Sequence, residues 1–446
     1  MKKITLVVIA FALSICFSSQ VFADIQFYID VHKIKEKQAS DKKISKEVNK
    51  SKMLVEIGDT CFSYVQDDIK HVYDFANKRI LTIKLTNKTF EDDSLFSIIG
   101  FRTYEFQNRL MLGGAFAAAK IEDNLMLPVL SEHLFSLQQK DKKSELSQTS
   151  LNNSVSFSAA GKELLSYTKQ GEQVSAANKK MFIKFFRYVF GGYPQILEQL
   201  SSDNIIPESI NINRYDIFKE SDDLKISQIR TIPPKILSLT GYNPTTFADG
   251  SDPLPKFLND IKYSKTINMQ NHLDLLLSRA NEYYRNGNYI DTMLAYLEYN
   301  LASGLPFPQI FQEQSLTLKK DENVNKLLTA LSSKRKEDAE NNLIALQQLE
   351  GVAKHQGHVI KIFEANLQIR LGKTQEAKIL FIEALKASPY ITGVYKDLGD
   401  LYYSQYNTVM AWRCWDIARK LAPTHKMLMP INEFESKLMK NYPEYF

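Results

Sequence analysis

Alternation of apolar and polar residues marks the first third of the chain. In HVYDFANKRILTIKLTNKTF the side chains of each short run divide between two faces, with Leu81, Ile83 and Leu85 on one of them, and turn residues stand at 77–78 and 87–88. A period of two residues is typical of a strand with one buried face. The pattern predicts an antiparallel meander, preceded by strands at IQFYIDVHKI and MLVEIGDTCFSYV.

The period then changes to that of a helix. Apolar residues lie three and four apart in SLFSIIGFRTYEFQNRLMLGGAFAAAKI, where the Gly113-Gly114 pair is a candidate break. Hairpin chemistry returns in VSFSAAGKELLSYTKQGEQVS, an amphipathic helix follows in AANKKMFIKFFRYVF, and ESININ and DLKISQIRTI are typical of late strands. Helices placed among antiparallel strands predict an α+β domain over residues 24–240, an antiparallel sheet with packed helices.

Proline spacing organises the rest of the chain. Residues 241–267 hold Pro244, Pro253 and Pro255 and are predicted to be an inter-domain linker. The pattern from residue 268 to residue 446 is helical, and Pro389 and Pro423 stand 34 residues apart within it. Because proline cannot continue the interior of a helix, the two prolines predict the ends of successive helical hairpins.

Small residues recur in the same register. Gly399 and Ala411 occupy positions 8 and 20 of one 34-residue window, and Ala365 and Ala377 occupy the same positions of the window before it. Two antiparallel helices cross closely only where side chains are small, and this pattern resembles the tetratricopeptide repeat. The resemblance implies that residues 268–446 form an all-α domain of helical repeats.

A third copy of the pattern lies further upstream. It places Ala280 at position 8 and Gly287 at the turn, but Gly287 precedes Gly372 by 85 residues, which is two and a half repeats. The intervening SKRKEDAENNLIALQQLEGVAKHQG is either an extra helix or a degenerate hairpin. An amphipathic segment after Pro430 predicts a C-terminal capping helix.

The N-terminus and the charge indicate where the protein acts. The sequence MKKITLVVIAFALSICFSSQVFAD is typical of a secretory signal peptide, residues 1–23, with cleavage expected after Ala23. Its removal lowers the formal net charge from +5 to +3, which argues against a nucleic-acid partner. No later apolar run is long enough to span a bilayer. We expect a periplasmic or secreted bacterial protein in which Cys61 and Cys414 are separate thiols.

Catalytic motifs are absent from the sequence. It contains no nucleophile elbow, zinc-protease motif, phosphate-binding loop or dinucleotide fingerprint. His355 and His358 lack a cysteine or carboxylate neighbour in the sequence that would complete a metal site, and Asp92-Asp93 falls at an expected turn. We therefore expect a protein that is not an enzyme and needs no cofactor or metal.

The tetratricopeptide resemblance implies a groove lined by the first helix of each repeat. Asparagine can bond a peptide backbone, arginine can bind a carboxylate, and tyrosine can pack on side chains. The same residues are also compatible with the solvated surface of a purely structural solenoid. The partner-binding candidates are Asn281, Tyr284, Arg285, Asn366, Arg370, Lys396 and Tyr403.

Two functions are compatible with these patterns. The first is an exported, non-enzymatic interaction protein that binds a protein or peptide partner through its repeats in the cell envelope. The alternative is a carrier of an apolar ligand or lipid in the N-terminal α+β domain, with the repeats as a docking module. The predicted strand order of the N-terminal domain and the expected export of the chain are similar to those of periplasmic lipoprotein carriers, whose curved half-barrel sheet covers an apolar cavity.

Overall fold

The computed structural model describes residues 24–38, 44–121, 127–139, 144–202, 204–216, 218–234, 237–247, 252–332 and 335–446. The expected signal peptide, residues 1–23, lies outside these ranges. The strands are β1 Asp24–Gln38, β2 Ile44–Ile57, β3 Cys61–Gln66, β4 Ile69–Asp74, β5 Arg79–Lys84, β6 Thr89–Ser94, β7 Ser147–Leu151, β8 Ser154–Ala159, β9 Lys162–Thr168, β10 Gly171–Gln173, β11 Ile205–Pro207, β12 Ser209–Tyr215, β13 Lys219–Ile232 and β14 Asn243–Pro244.

Helices lie among the later strands and then fill the second half of the chain. They are α1 Phe96–Ala118, α2 Pro128–Phe135, α3 Ala176–Val189, α4 Pro194–Leu200, α5 Leu254–Tyr263, α6 Met269–Arg285, α7 Tyr289–Ser303, α8 Gln309–Leu318, α9 Glu322–Ser332, α10 Ala339–Glu350, α11 Gly357–Arg370, α12 Thr374–Ala387, α13 Thr392–Ser404, α14 Thr408–Leu421 and α15 Met429–Asn441. A large antiparallel sheet followed by a run of helices confirms the α+β class expected from the sequence.

Twelve of the described strands form one sheet, in the order β14-β6-β5-β4-β3-β2-β1-β13-β12-β9-β8-β7. The expected meander is present, because β3, β4, β5 and β6 pair antiparallel with their sequence neighbours. The first strand lies near the centre, since β1 pairs with β2 on one side and with β13 on the other. The late strand β13 therefore pairs with β1, and this pairing joins strands β2–β6 and strands β7–β9 and β12 into one sheet.

Helix α3 covers one face of this sheet. Its Phe182 ring lies 6.0 Å from that of Phe27 in β1, and its Phe185 ring lies 5.4 Å from that of Phe62 in β3. All four rings are buried. Packing of this kind contributes on the order of 2 kcal/mol for each buried aromatic side chain. The apolar face of the sheet is thus filled by the chain's own helix at this point.

The helices from α9 to α14 form three consecutive pairs. The first helices of the pairs begin at Glu322, Gly357 and Thr392, which are 35 residues apart. Each helix in this series contacts the next one. In the last pair, a Cβ atom on Gly399 would lie 2.3 Å from Trp415 Nε1 and 3.0 Å from the Ala411 carbonyl oxygen. The close contact expected between Gly399 and Ala411 is therefore present.

Residues 241–267, expected to be a linker, make ordered contacts with both parts of the chain. Strand β14 pairs with β6 at the sheet edge, and α5 packs against α14. The Lys262 ammonium contacts the Asp92 carboxylate of β6 at 2.9 Å, and Lys420 of α14 donates to the Ile261 carbonyl at 3.0 Å. The segment therefore joins the sheet to the helices over its whole described length.

The turn expected at Asp92-Asp93 is instead part of strand β6, and both carboxylates bind arginines. Arg413 of α14 reaches Asp93 in two contacts of 2.6 and 3.0 Å and Glu91 at 3.2 Å. Arg79 of β5 bonds Asp92 at 2.6 Å. Asp93 therefore pairs with a cation across the sheet–helix boundary, and Asp92 pairs with a cation of the neighbouring strand.

The C-terminus also contacts the N-terminal domain. The Tyr445 hydroxyl donates to the carbonyl of Phe135 at 2.6 Å and accepts a bond from Arg102 at 3.0 Å. The Tyr445 side chain is fully buried. Both cysteines among the described residues are free, with Cys414 buried in α14 and Cys61 half-buried in β3.

Replacing Arg413 with methionine should leave Asp93 and Glu91 without their cation at a boundary that is largely closed to water. We expect the free energy of unfolding of the full chain to fall by about 3 kcal/mol. Urea unfolding followed by circular dichroism measures this change.

The matched control is Arg335→Met, which removes a bidentate contact to Asp338 from an arginine side chain that is 76% exposed. It should cost within about 1 kcal/mol. Equal losses in the two variants would mean that the contact between α14 and β6 contributes no more than a surface ion pair.

Candidate functional site

The groove expected from the sequence is crossed by another helix of the same chain. Helix α7 contacts α9, α11 and α13, which are the first helices of the three consecutive pairs. At α13 the approach is close, since a Cβ atom on Gly393 would lie 3.3 Å from the Leu301 carbonyl oxygen of α7. Helix α7 is buried on most of its surface, including Leu294, Tyr296 and Ala302. Part of the expected binding surface is therefore already occupied.

An aspartate of α7 fixes the beginning of α11. The Asp291 carboxylate accepts hydrogen bonds from the backbone N–H groups of Lys354, His355 and Gln356, at 3.2, 3.0 and 2.9 Å. Asp291 is buried, so the three N–H groups replace the water that its charge has lost. A carboxylate just before a helix is also favoured by the positive end of the helix dipole.

A glutamate of α7 makes a second buried contact with the stack. The Glu298 carboxylate lies 2.9 Å from His358 Nε2 of α11, 2.6 Å from the Ser388 hydroxyl after α12 and 3.3 Å from His272 Nε2 of α6. Burial raises the pKa of Glu298, but the contacts of the carboxylate with His272, His358 and Ser388 outweigh it and lower the pKa to about 2. This cluster was not predicted from the sequence, because its members are up to 116 residues apart in the chain.

The seven predicted partner-binding residues do not form one row. On α6, the Asn281 side chain accepts a bond from Gln314 of α8 at 3.1 Å, the Tyr284 ring packs on Tyr289, and Arg285 is exposed. Helix α6 packs mainly on α7 and does not belong to the consecutive pairs. Its three candidates therefore lie outside the series of pairs that carries the other four.

Two of the other candidates meet at one cluster. Lys396 pairs with Asp400 at 2.6 Å and with Asp397 at 3.7 Å, and the Asn366 side chain bonds Asp397. Burial and the nearby Asp400 raise the pKa of Asp397 to about 6, although Lys396 and Asn366 act in the opposite direction. Arg370 is exposed at the end of α11. Lys396 thus contacts two carboxylates of its own chain, and Asn366 bonds one of them.

The last candidate, Tyr403, faces the N-terminal domain. Its ring stacks on Tyr104 of α1, with centroids 5.2 Å apart and planes inclined by 11°. Tyr406 stacks on the same Tyr104 ring at 4.4 Å, and its hydroxyl accepts a hydrogen bond from Asn108. Tyr403 thus helps to hold α13 against α1.

An apolar cleft opens beside this stack. We call it the junction cleft; its apolar lining is Ile98, Phe101, Leu134, Phe135 and Val409, from α1, α2 and α14. The cleft has a volume of about 620 Å³. Phe101 and Val409 remain 40% and 39% exposed, which is high for large apolar side chains that line one cleft.

Charged residues form the rim of the junction cleft. Arg109 contacts Glu105 at 3.3 Å and Asp216 at 3.1 Å, so its charge is balanced locally. Arg102 donates to the carbonyl oxygens of Arg187 and Tyr188 at 3.0 and 2.8 Å. Apolar walls with a few fixed polar groups are the usual construction of a binding pocket.

The junction cleft could not be read from the sequence. Helical periodicity identified Phe101 as an apolar position, but Val409 lies more than 300 residues later and joins it only through the contact of α14 with α1.

The described residues contain no group of three or more histidine, cysteine, aspartate or glutamate side chains arranged to hold a metal ion. None of the helices among them is long and apolar enough to cross a membrane.

Comparison with known proteins gives no family for this chain. No family model matches it, and no curated protein matches it. Among solved structures it is similar to one described as "lipid-protein interactions in lipovitellin", with 10% sequence identity and a TM-score of 0.21. That match covers 95% of this chain and 56% of the lipovitellin chain, so this chain spans little more than half the length of its neighbour. A likeness of this size carries no argument about function.

The Glu298 cluster predicts a pH dependence. The pKa of Glu298 is about 2 in the folded chain, below the value of about 4.3 in an unfolded chain, so its stabilisation is complete above the unfolded value and is lost as the pH falls toward 2. In Glu298→Gln this contribution is missing. The difference in unfolding free energy between the parent and this variant should shrink by about 3 kcal/mol between pH 5 and pH 2.

Urea unfolding at a series of pH values measures the difference. Glu340→Gln, at an exposed position of α10, is the control and should give a small difference at every pH. A constant difference between the parent and Glu298→Gln across the range would contradict the proposed binding of the carboxylate.

Proposed function

We propose that this chain is an exported, non-enzymatic interaction protein, and that an apolar segment of a protein partner binds in the junction cleft. The observation that carries the proposal is the cleft itself, where Phe101 and Val409 stay partly exposed between two packed parts of the chain. The helical pairs act as a tetratricopeptide-like scaffold in this proposal. They hold α14 in place rather than present an open groove.

The cleft suits a protein segment because of its chemistry. A volume of about 620 Å³ accommodates several apolar side chains, and the rim holds charges of both signs at Arg109, Glu105 and Asp216. Interfaces commonly combine a buried apolar centre with a polar rim. The signal-peptide pattern at the N-terminus supports the cell envelope as the place of binding.

A second candidate, a carrier of an apolar ligand, is favoured by the same apolar lining. The junction cleft would then hold the ligand, because the covered face of the sheet is filled by Phe182 and Phe185 of α3. Native mass spectrometry of the full chain distinguishes the two functions. A bound small molecule that disappears in Phe101→Asp would favour the carrier over the interaction protein.

The proposal predicts the effect of charge in the cleft. Phe101→Asp combined with Val409→Asp, in the full tagged chain, should weaken capture of the envelope partner at least about tenfold. An apolar anchor residue at the centre of an interface contributes more than about 1.4 kcal/mol of binding free energy, which corresponds to tenfold. Quantitative cross-linking mass spectrometry of an envelope extract measures the captured partner and locates its contacts.

The control variant is Leu316→Asp, on α8, where the leucine is 73% exposed and lies outside the cleft. It should capture the same partner as the parent chain. Equal capture by the cleft variant and the control, with unchanged thermal unfolding, would rule out the junction cleft as the binding site.

A further inference from the structure

Within the described residues, the sheet edge formed by β7 has none of the usual protection against pairing. Among the described strands β7 pairs only with β8, and all five of its residues, Ser147–Leu151, are exposed on both faces. It contains no charge and no proline, and its pairing with β8 runs without a bulge. The opposite edge is β14, a two-residue strand that ends in Pro244. Natural sheets usually protect an exposed edge with charges, proline or bulges.

The turn after β7 indicates which backbone groups of β7 are available to pair with another strand. Asn152 and Asn153 form a two-residue turn, Asn152 has a φ of 45°, and Leu151 pairs with Ser154 to close the hairpin. In such a hairpin the closing pair exchanges hydrogen bonds and the pattern then alternates along the strand. Gln148 and Ser150 therefore direct their N–H and C=O groups away from β8. Another extended backbone can satisfy these groups in series.

The composition of β7 favours a second copy of the same strand as its pairing partner. Antiparallel pairing centred on Thr149 places Gln148 opposite Ser150 and Ser147 opposite Leu151 of the other copy. This register uses all five residues, brings no like charges together, and sets Thr149 opposite itself, which is a favourable pair. We propose that β7 pairs antiparallel with β7 of a second copy, so that the sheet continues across a two-fold axis at Thr149.

The first test uses the oligomeric state of the full chain. Five paired residues bury little surface, so the association should be weak and depend on concentration. Sedimentation velocity of the parent should show a mass that rises toward two chains as the concentration increases. Gln148→Pro lacks the outward N–H group and should remain a single chain, whereas Gln148→Ala keeps that group and should behave like the parent.

The second test locates the axis. Thr149→Cys should form a disulfide-linked dimer under mild oxidation, because the two copies place this position face to face. Leu151→Cys is the control: its parent side chain is more exposed, at 68%, but it lies away from the axis. Faster cross-linking of Leu151→Cys, or a parent chain that stays single at every concentration, would overturn the proposal.

Discussion

The burial of α7 is the constraint on which the arrangement of the helices depends. This helix has apolar residues on nearly every side, so it must be covered by other elements. It also carries two buried carboxylates, Asp291 and Glu298, that need hydrogen-bond donors. The beginning of α11 and the pair His358 and Ser388 supply those donors. Because α7 lies across three first helices, the surface that repeat proteins commonly use for a peptide is partly closed.

The sheet and the helices are joined in a similar way, by partly buried charges and packed side chains. The acidic strand β6 receives Arg413 from α14, and the segment expected to be a linker packs between them. Tyr403 and Tyr406 then stack on Tyr104 of α1, which brings the turn before α14 close to the sheet domain. The junction cleft is the space that these contacts leave beside Phe101. Its walls come from both halves of the chain.

The sequence predicted those parts of the fold that depend on local patterns. The alternation around Leu81 and Ile83 predicted strand β5, and the register of Gly399 and Ala411 predicted the contact of α13 with α14. The segment 333–357, which contains α10, was left open between an extra helix and a degenerate hairpin, because the 85 residues from Gly287 to Gly372 are not a whole number of repeats. A signal was present, since the buried Ala330 precedes Ala365 by 35 residues.

Other features depend on contacts between distant residues and could not be predicted in this way. Helix α1 continues through Gly113-Gly114, where a break had been considered. Tyr403 was placed in a peptide groove, although its ring lies against α1, and the candidates on α6 were separated from the others by the position of α7. The location of the candidate site thus depends on how whole helices pack, and local sequence patterns do not predict that packing.

The most direct test of this account is hydrogen–deuterium exchange of the α7 amides, Tyr289–Ser303, in the full chain. If α7 permanently fills the groove, these amides should exchange as slowly as those of the central strand β1, because both open only when the chain unfolds globally. Helix α8, which has several exposed side chains, provides the fast reference. Exchange of α7 at the rate of α8 would contradict the account, since the groove would then open to a partner without unfolding of the chain.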